Sequence, residues 1–395
     1  MNKVMTTLFL VAMVTGICIA GSVQANERMP AINEKPLVQM AILLDTSSSM
    51  SGLINQARAE LWAIVNEFIF AKRNGKEPEL QVALYEYGKS SLPGSEGYIR
   101  MIVPLTTDLD RISEELFALK TNGGQEYCGW VIQDATQELE WTGSPDDLKV
   151  IFIAGNEPFT QGKVDYRQAC KAAVAKGIIV NTIHCGSERA GIDGKWKDGA
   201  MLADGQSLNI DQSRQAVHVA APQDKEILEL GAMLNDTYVA YGRAGNVALK
   251  RQSAQDRNAS NASKGAARGR AVAKSSPHYR NESWDLVDAL RTKKVKLEDV
   301  EKEDLPEQLR EMSEEERRTY VEGKAKRRRE IQQRIQELEK QRKKYVAEEM
   351  KKQHRKGNTL GSVMLEAIRY QARKKNYTFE PSEESSKNSD RVTSN

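Results

Sequence analysis

Between residues 35 and 242 the hydrophobic pattern alternates between short apolar runs and stretches with helical spacing. The run from Val38 to Leu44 is apolar and of strand length, which is typical of a strand buried on both faces of a parallel sheet. Apolar residues then recur every three or four positions from Ile54 to Phe68, which predicts an amphipathic helix. Further strands are predicted at 80–87, 98–105, 149–154 and 178–185, with a short polar pair within 207–220. Further helices are predicted at 109–119, 128–141, 166–176 and 224–234.

The order of these elements indicates the fold class. The loop between strands 80–87 and 98–105 is rich in Gly, Ser and Pro and is too short for a crossover helix, so the two strands should form an antiparallel hairpin. The other strands alternate with helices, which favours parallel pairing through helical crossovers. We therefore expect an α/β domain at 35–242 with a doubly wound, mostly parallel sheet and one antiparallel edge strand.

The remainder of the chain has a different composition. Residues 243–283 are dominated by Ala, Gly, Ser, Asn and Arg, which predicts a flexible linker. Residues 284–379 are predicted to form a charged, basic helical region, in which 317–356 holds 16 Lys+Arg against 6 Asp+Glu. Its apolar residues form a narrow stripe, and a coiled coil would be interrupted where Arg342 replaces a hydrophobe. The polar residues 380–395 are predicted to be disordered.

The amino terminus has the pattern of a secretory signal. Lys3 precedes an apolar run from Leu8 to Ala20, and small residues lead to a cleavage position after Ala25. We expect residues 1–25 to be removed and the mature protein to be exported, either periplasmic or secreted. An uncleaved anchor is the alternative interpretation.

Composition excludes some classes of protein. The counts of 27 Gly, 11 Pro and 4 Cys in 395 residues exclude collagen, low-complexity chains and disulfide frameworks. Removal of the signal leaves Cys128, Cys170 and Cys185, which allow at most one internal disulfide in an oxidising compartment. Their spacing is not that of a zinc site.

The candidate chemistry lies directly after the first strand, in the sequence Asp45-Thr46-Ser47-Ser48-Ser49. A carboxylate and two hydroxyls at alternate positions, at the carboxyl end of a buried strand, provide hard oxygen ligands suited to Mg²⁺. Serines between a strand and a helix are also common N-caps, which need no metal. The position of Asp45 favours the metal, because an unpaired carboxylate at the end of an apolar strand is costly to desolvate.

This Asp-x-Ser-x-Ser motif resembles the metal-ion-dependent adhesion site of the von Willebrand factor A (VWA) domain family. The resemblance covers roughly residues 35–242 and extends to bacterial exported proteins of this family without assigned activity. It implies the doubly wound fold predicted above, a bound cation held by Asp45, Ser47 and Ser49, and a protein partner at the same loops.

The chain departs from the family pattern on two further loops. The family usually has a threonine after Gly-Gly, where this chain has Gln125, which the resemblance makes a candidate metal ligand. A third loop usually offers an aspartate, where this chain has Gly155.

Neighbouring oxygen donors could replace the missing ligands. Glu126, Asn156 and Glu157 could bind the ion directly or through water, or they could form the rim of a metal-free binding surface. Together with Asp45, the two glutamates would bring three carboxylates to the site, which favours Ca²⁺ as an occupant and disfavours an acidic partner group.

Two of the cysteines are expected near the same loops. Cys128 follows Glu126 closely, and Cys185 ends a strand at the same edge of the sheet. A disulfide between them would fix the binding loops, whereas the alternative is that both are small buried hydrophobes.

These features lead to a functional hypothesis. We expect a non-enzymatic, exported protein-interaction module, because the histidines are scattered and no base stands beside Ser48 or Ser49. An alternative is an envelope scaffold whose basic helical region binds an anionic polymer or a membrane surface, with a metal-free VWA domain. Export argues against nucleic acid as the natural ligand. A metal-dependent enzyme using Asp45 and Glu157 would need a pocket and a positioned base that the sequence does not indicate.

Overall fold

The computed structural model of the chain describes residues 35–211, 213, 219–353 and 359–379. The part from Lys35 onward forms one compact unit. The predicted signal peptide at 1–25 and the predicted disordered tail at 380–395 lie outside the described residues.

A six-stranded sheet forms the centre of this unit. The strands of the described chain are β1 (Leu37–Asp45), β2 (Ala71–Arg73), β3 (Glu79–Tyr87), β4 (Ile99–Thr106), β5 (Leu148–Gly155), β6 (Ile179–Cys185), β7 (Ser207–Ile210) and β8 (Tyr377–Phe379). The order across the central sheet is β4-β3-β1-β5-β6-β7, and every pairing is parallel except β3 with β4. Strands β2 and β8 form a separate antiparallel pair. The predicted fold class and the predicted edge hairpin are confirmed, and of the polar pair within 207–220 only β7 lies among the described strands.

Helices cover both faces of the sheet. They are α1 (Ser51–Glu67), α2 (Leu109–Ala118), α3 (Cys128–Glu138), α4 (Tyr166–Ala175), α5 (Glu188–Asp193), α6 (Trp196–Leu202), α7 (Asp224–Asn235), α8 (Gly245–Ala262), α9 (Lys264–Lys274), α10 (Leu286–Arg291), α11 (Glu307–Arg310), α12 (Glu314–Gln353) and α13 (Leu360–Lys374). One apolar layer contains side chains of α1, α2 and α13, and the opposite layer contains side chains of α3, α4 and α6. Strand β1 is buried between the two layers, as its apolar sequence predicts, and it delivers Asp45 to the carboxyl edge of the sheet.

The prediction of a flexible linker at 243–283 is wrong, because α8 and α9 occupy most of it and pack against α1, α2 and α7. The small residues that suggested a linker allow close helix contacts: a Cβ on Gly269 would lie 3.1 Å from the Cβ of Trp62. Arg270 is 1% exposed, donates to Asp110 at 2.7 Å and pairs with Asp256. A polar, Gly- and Ala-rich segment therefore serves here as a helical layer of the core.

The basic region also packs against the body of the protein. Ile331, Ile335 and Leu338 of α12 are buried in an apolar cluster with residues of α7 and α9. Arg342, at the interruption of the apolar stripe, donates to Asp224 of α7 at 2.6 Å. The stripe therefore faces α7 and α9, and the predicted boundary at residue 242 does not separate two independent cores. No helix of the described residues combines the length and the apolar character needed to cross a membrane.

Candidate functional site

The candidate site lies at the carboxyl edge of the sheet, where the loops after β1, β3 and β5 meet. Asp45 ends β1 and stands between Gly88, just after β3, and Gly155, the last residue of β5. A Cβ on Gly88 would lie 2.9 Å from Oδ1 of Asp45, and a Cβ on Gly155 would lie 3.1 Å from Oδ2. Both glycines therefore leave the space that the carboxylate occupies.

Asp45 is 0% exposed, and its two oxygens are in different situations. Oδ1 accepts the backbone N–H of Ser47 at 2.7 Å, whereas Oδ2 is buried without a hydrogen-bond partner. Burial, opposed by hydrogen bonding from the backbone and side chain of Ser47 and aided by the charges of Glu126 and Glu157, raises the pKa of Asp45 to about 7. A buried, unpartnered carboxylate oxygen fits a bound cation, because it is otherwise desolvated without compensation.

The two serines of the motif lie side by side. Oγ of Ser47 is 3.2 Å from Oγ of Ser49, and Ser47 is buried whereas Ser49 is exposed. Ser47 precedes a short 3₁₀ turn at Ser48–Met50, but its hydroxyl makes no capping hydrogen bond there. The N-cap interpretation therefore does not account for the Ser47 side chain, whose hydroxyl instead contacts Ser49.

On the second loop, Glu126 rather than Gln125 reaches the site. The Gln125 side chain is exposed, and its Oε1 accepts the hydroxyl of Tyr127. Glu126 is buried, and its carboxylate interacts with the Ser47 hydroxyl. Burial, followed by the charge of Glu157, raises the pKa of Glu126 to about 6. Metal binding by Gln125 stays a prediction, and of these two adjacent side chains it is Glu126 that is buried at the site.

The third loop contributes Asn156 and Glu157. Oδ1 of Asn156 is buried without a hydrogen-bond partner, so the third loop also holds an unpartnered acceptor. Gln161 joins the second and third loops, since its Nε2 donates to Glu157 at 3.1 Å and its Oε1 accepts the backbone N–H of Glu126 at 3.4 Å. The loops that bear the carboxylates are therefore held together before any ligand arrives.

The donor set fits a hard cation with incomplete protein ligation. Among the described residues, no group of three or more His, Cys, Asp or Glu forms a metal site by itself. An ion at Asp45 would therefore rely on the hydroxyls of Ser47 and Ser49 and on water, as Mg²⁺ and Ca²⁺ commonly do.

The cysteines do not form the suggested disulfide. Cys128, Cys170 and Cys185 are all buried and free. Cys128 belongs to the apolar layer on the α3 side of the sheet, whereas Cys185 belongs to the opposite layer. The disulfide interpretation for Cys128 and Cys185 is wrong, because the sheet lies between the two thiols. The alternative, that both are small buried hydrophobes, describes the structure.

An aromatic cluster that the sequence analysis missed supports the loops. The rings of Tyr127 and Trp130 are stacked with centroids 6.3 Å apart, and Tyr98 meets Tyr127 edge-on at 5.9 Å. Lys163 places its ammonium 4.2 Å from the centroid of Trp130. Gly97, with a φ of 74°, packs so closely that a Cβ there would lie 2.7 Å from the Trp130 ring. The only signal in the sequence is the position of these aromatics beside the motif loops.

Among the described residues, neither Ser47 nor Ser49 is paired with a histidine or lysine base. Within the described residues, no hydrogen bond joins Ser47 or Ser49 to a histidine or lysine. His184 lies at the same end of the sheet but is paired with Asn209 at 3.3 Å and tilted against Trp196.

Part of the basic charge of α12 is used within the protein. Arg328 is 4% exposed and binds Asp285 at 2.6 Å and Asp288 at 3.1 Å. Arg342 binds Asp224, and Arg334 pairs with Glu226 at 2.7 Å. The local excess of positive charge in the sequence therefore overstates what this helix offers to an external anion.

The fold and the site together define the class of protein. It is a doubly wound α/β protein whose candidate ligand site lies where the central strand reaches the carboxyl edge of the sheet. The strand order, the antiparallel edge strand and the Asp45 loop at the end of β1 agree with the fold that the resemblance to the von Willebrand factor A family implies.

No family model matches this chain, and no curated protein is significantly similar to it. Among solved structures, the SpRpn10 VWA domain is 18% identical, with 45% of this chain and 90% of that chain covered and a TM-score of 0.34. The conserved hypothetical protein BatB from Bacteroides thetaiotaomicron is 18% identical, with 45% and 91% covered and a TM-score of 0.34. An aerotolerance-related membrane protein from Bacteroides fragilis is 17% identical, with 44% and 92% covered and a TM-score of 0.30.

Proposed function

We propose that the protein is an exported, non-enzymatic interaction module that holds a divalent cation, Mg²⁺ or Ca²⁺, at Asp45, Ser47 and Ser49 and binds a partner protein at that edge of the sheet. The observation that carries the proposal is the fully buried Oδ2 of Asp45, which has no hydrogen-bond partner. A cation would compensate this oxygen and would draw the neighbouring hydroxyls into its coordination shell.

The arrangement of the loops supports binding over catalysis. The donors are provided by three loops. Gln161 joins the second loop to the third, and the backbone N–H of Asn122 joins the second loop to the first by donating to the carbonyl of Thr46 at 2.9 Å. Such preorganised loops lose little conformational entropy when a partner binds. A hydrolytic role would require a base that activates a serine hydroxyl. Among the described residues, the Ser47 hydroxyl meets the Glu126 carboxylate, and no hydrogen bond joins Ser47 or Ser49 to a histidine or lysine.

Calorimetric titration of the purified full-length chain with Mg²⁺ and with Ca²⁺, after chelation, tests the cation. We expect one-to-one binding heat and a higher melting temperature, because an ion that binds only the folded state stabilises it by mass action. The Asp45→Ala variant should lose both effects. Ser51→Ala, which changes an exposed serine just beyond the motif, is the matched control and should keep them.

The opposite result has a clear meaning. If neither ion produces heat or a thermal shift in the wild-type chain, the cation part of the proposal is wrong. Binding to anionic vesicles that weakens steeply with salt would then favour the scaffold alternative, in which the basic helical region binds an anionic surface.

A further inference from the structure

Among the described residues, the carboxylates of the candidate site have no positively charged partner, whereas the neighbouring carboxylate of Glu86 has two. Glu86, which is fully buried one residue before the end of β3, is paired with Arg100 at 2.5 Å and with Lys89 at 3.5 Å. No lysine or arginine of the described residues pairs with Asp45, Glu126 or Glu157, which we name the acidic site. The fold therefore neutralises one buried carboxylate and leaves three others beside it without a counter-charge.

The unpartnered atoms of the site are all acceptors. Oδ2 of Asp45 and Oδ1 of Asn156 are buried without a hydrogen bond, and both can only accept one. An incoming group must therefore supply a cation or hydrogen-bond donors. This requirement is independent of the number of carboxylates, since the Asn156 amide oxygen carries no formal charge.

A divalent ion compensates the acidic site only in part. Three ionised carboxylates carry three negative charges, and a bound Mg²⁺ or Ca²⁺ cancels two of them. A carboxylate brought by a partner would meet the remaining negative charge, whereas an ammonium or guanidinium group would cancel it. The charge balance therefore favours a basic partner group over an acidic one.

The aromatic cluster offers a surface for the stem of such a group. Tyr98 and Tyr127 are only partly buried, and Tyr127 directly follows Glu126 in the chain. Lys163 already holds its ammonium over the Trp130 ring, so a cation–aromatic contact forms at this edge of the sheet. Long basic side chains bury an aliphatic stem while their charged head finds an anion, and arginine can donate to two carboxylates at once.

We propose that the partner binds through an arginine or lysine side chain whose cationic head lies between Glu126 and Glu157 and whose stem packs along Tyr127. This inference rests on the proposed interaction function and specifies the chemistry of the partner at the same site. It assigns Glu126 and Glu157 to the partner and leaves Asp45, Ser47 and Ser49 to the ion.

The test uses small probes and the full-length chain. N-acetyl-arginine amide and N-acetyl-aspartate amide are titrated separately, each with and without saturating Mg²⁺, and binding is followed by NMR of labelled tryptophan and tyrosine side chains. We expect the arginine probe to shift the signals of the cluster and the aspartate probe to leave them unchanged. Glu126→Gln combined with Glu157→Gln should weaken arginine binding roughly tenfold, because charge-assisted hydrogen bonds to two carboxylates are lost.

A matched double variant separates this effect from general charge. Glu298→Gln combined with Glu315→Gln removes two exposed glutamates of the carboxyl-terminal helical region and should leave arginine binding unchanged. Equal loss in both double variants would overturn the inference, because binding would then follow net charge alone. Arginine binding that survives Glu126→Gln with Glu157→Gln would overturn it as well.

The remaining outcomes separate this inference from the proposed function. Metal-dependent binding of the aspartate probe in place of the arginine probe would overturn the basic-partner inference and leave the cation proposal intact. If Mg²⁺ or Ca²⁺ gives binding heat that depends on Asp45 but neither probe shifts the signals, the basic-partner inference is likewise overturned and the cation proposal stays intact. If the arginine probe binds but calorimetry shows no binding of Mg²⁺ or Ca²⁺, the basic-partner inference is supported and the proposal of a bound cation is overturned.

Discussion

Oδ2 of Asp45 lies 3.1 Å from the point that a Cβ on Gly155 would occupy, so the two residues at the ends of neighbouring parallel strands share one small space. The hydroxyl of Tyr87 closes this space, since the same Cβ would lie 2.5 Å from it. Tyr87 is held there by donating to the carbonyl of Ala154 at 3.0 Å. Packing therefore explains why the third loop has a glycine where a VWA domain usually has an aspartate.

Gly155→Ala should lower the free energy of unfolding by about 1–3 kcal/mol, because the added methyl group overpacks a filled site. Tyr87→Phe removes the hydroxyl that the methyl would meet. We expect the double variant to recover part of the loss, which urea denaturation of the four proteins in a double-mutant cycle can measure. Additive effects of the two substitutions would contradict the shared-space explanation.

Asp45→Asn should raise the stability of the metal-free protein and abolish its stabilisation by the cation. In the metal-free protein it removes a buried, unpaired charge near Glu126 and Glu157, so the free energy of unfolding should rise by about 1–3 kcal/mol. The stabilisation by Mg²⁺ or Ca²⁺ should disappear, because the amide is a poor substitute for a carboxylate ligand. Differential scanning calorimetry in chelator and in excess ion measures both effects, and a less stable metal-free variant would argue against an uncompensated charge.

His278 should make the protein less stable at acid pH. Its Nε2–H donates to the carbonyl of Phe68 at 2.9 Å, and burial, aided by Lys35 and Arg280 and opposed by Glu79, lowers its pKa to about 4. The unfolded chain binds a proton near pH 6.5, so stability is fully present above that pH and is lost as pH falls towards 4, by about 3 kcal/mol at most.

The His278→Gln variant isolates this contribution from those of the carboxylates. Its free energy of unfolding should fall less steeply than that of the wild type between pH 7 and pH 4, as measured by urea denaturation at each pH. The wild type and the variant are compared by the slope of the free energy of unfolding against pH. Their absolute stabilities also differ because the substitution changes packing at a buried position. Parallel curves would show that His278 is not titrated on unfolding in this range.

Arg328 should be essential for the attachment of α12. It is buried between Asp285, Asp288 and the carbonyl and hydroxyl of Thr237. Arg328→Met would leave the buried Asp285 without its counter-charge, and Asp288 would keep only the more exposed Arg291 at 3.6 Å, which should cost about 3–5 kcal/mol of stability. Arg327→Ala, at the exposed neighbouring position, should change stability by less than about 0.5 kcal/mol. If chemical denaturation shows similar losses of stability in Arg328→Met and Arg327→Ala, a specific role for the buried Arg328 is contradicted.

A chain that ends after Gly242 should fail to fold cooperatively, whereas a chain that ends after Phe379 should fold. The shorter chain lacks α8, α9 and α13, which cover the face of α1 that contains the fully buried Trp62. Loss of this cover exposes apolar surface that the α/β layers cannot bury alone. Near-ultraviolet circular dichroism and dye binding distinguish the two chains, and a sharp thermal transition in the shorter one would show that the helical layer is dispensable.

The features that the sequence predicted well depend on local pattern. The apolar run of β1 and the helical spacing of α1 identify elements that are buried in the same way wherever they pack. The Asp45 loop was recognisable because its three oxygen donors lie within five residues. The alternation of strands and helices then restricts the topology, since crossovers are short and of one hand.

The features that the sequence did not predict depend on partners far away in the chain. The small residues of α9 indicated a linker because nothing local shows that Trp62 packs against Gly269. In the sequence Arg342 only interrupts an apolar stripe, because nothing local shows that Asp224 of α7 pairs with it. Glu126 and Gln125 are adjacent, and only the fold decides which side chain turns inward.

The sequence by itself therefore determined the α/β class, the edge hairpin and the position of the Asp45 loop, because each follows from the order and burial of neighbouring residues. The tertiary structure alone decided that Cys128 and Cys185 lie on opposite sides of the sheet, that the helical carboxyl-terminal region completes the core, and that Oδ2 of Asp45 stays without a partner. The physical reason is that burial and pairing are properties of space, and residues distant in sequence supply most of the atoms that surround a buried group.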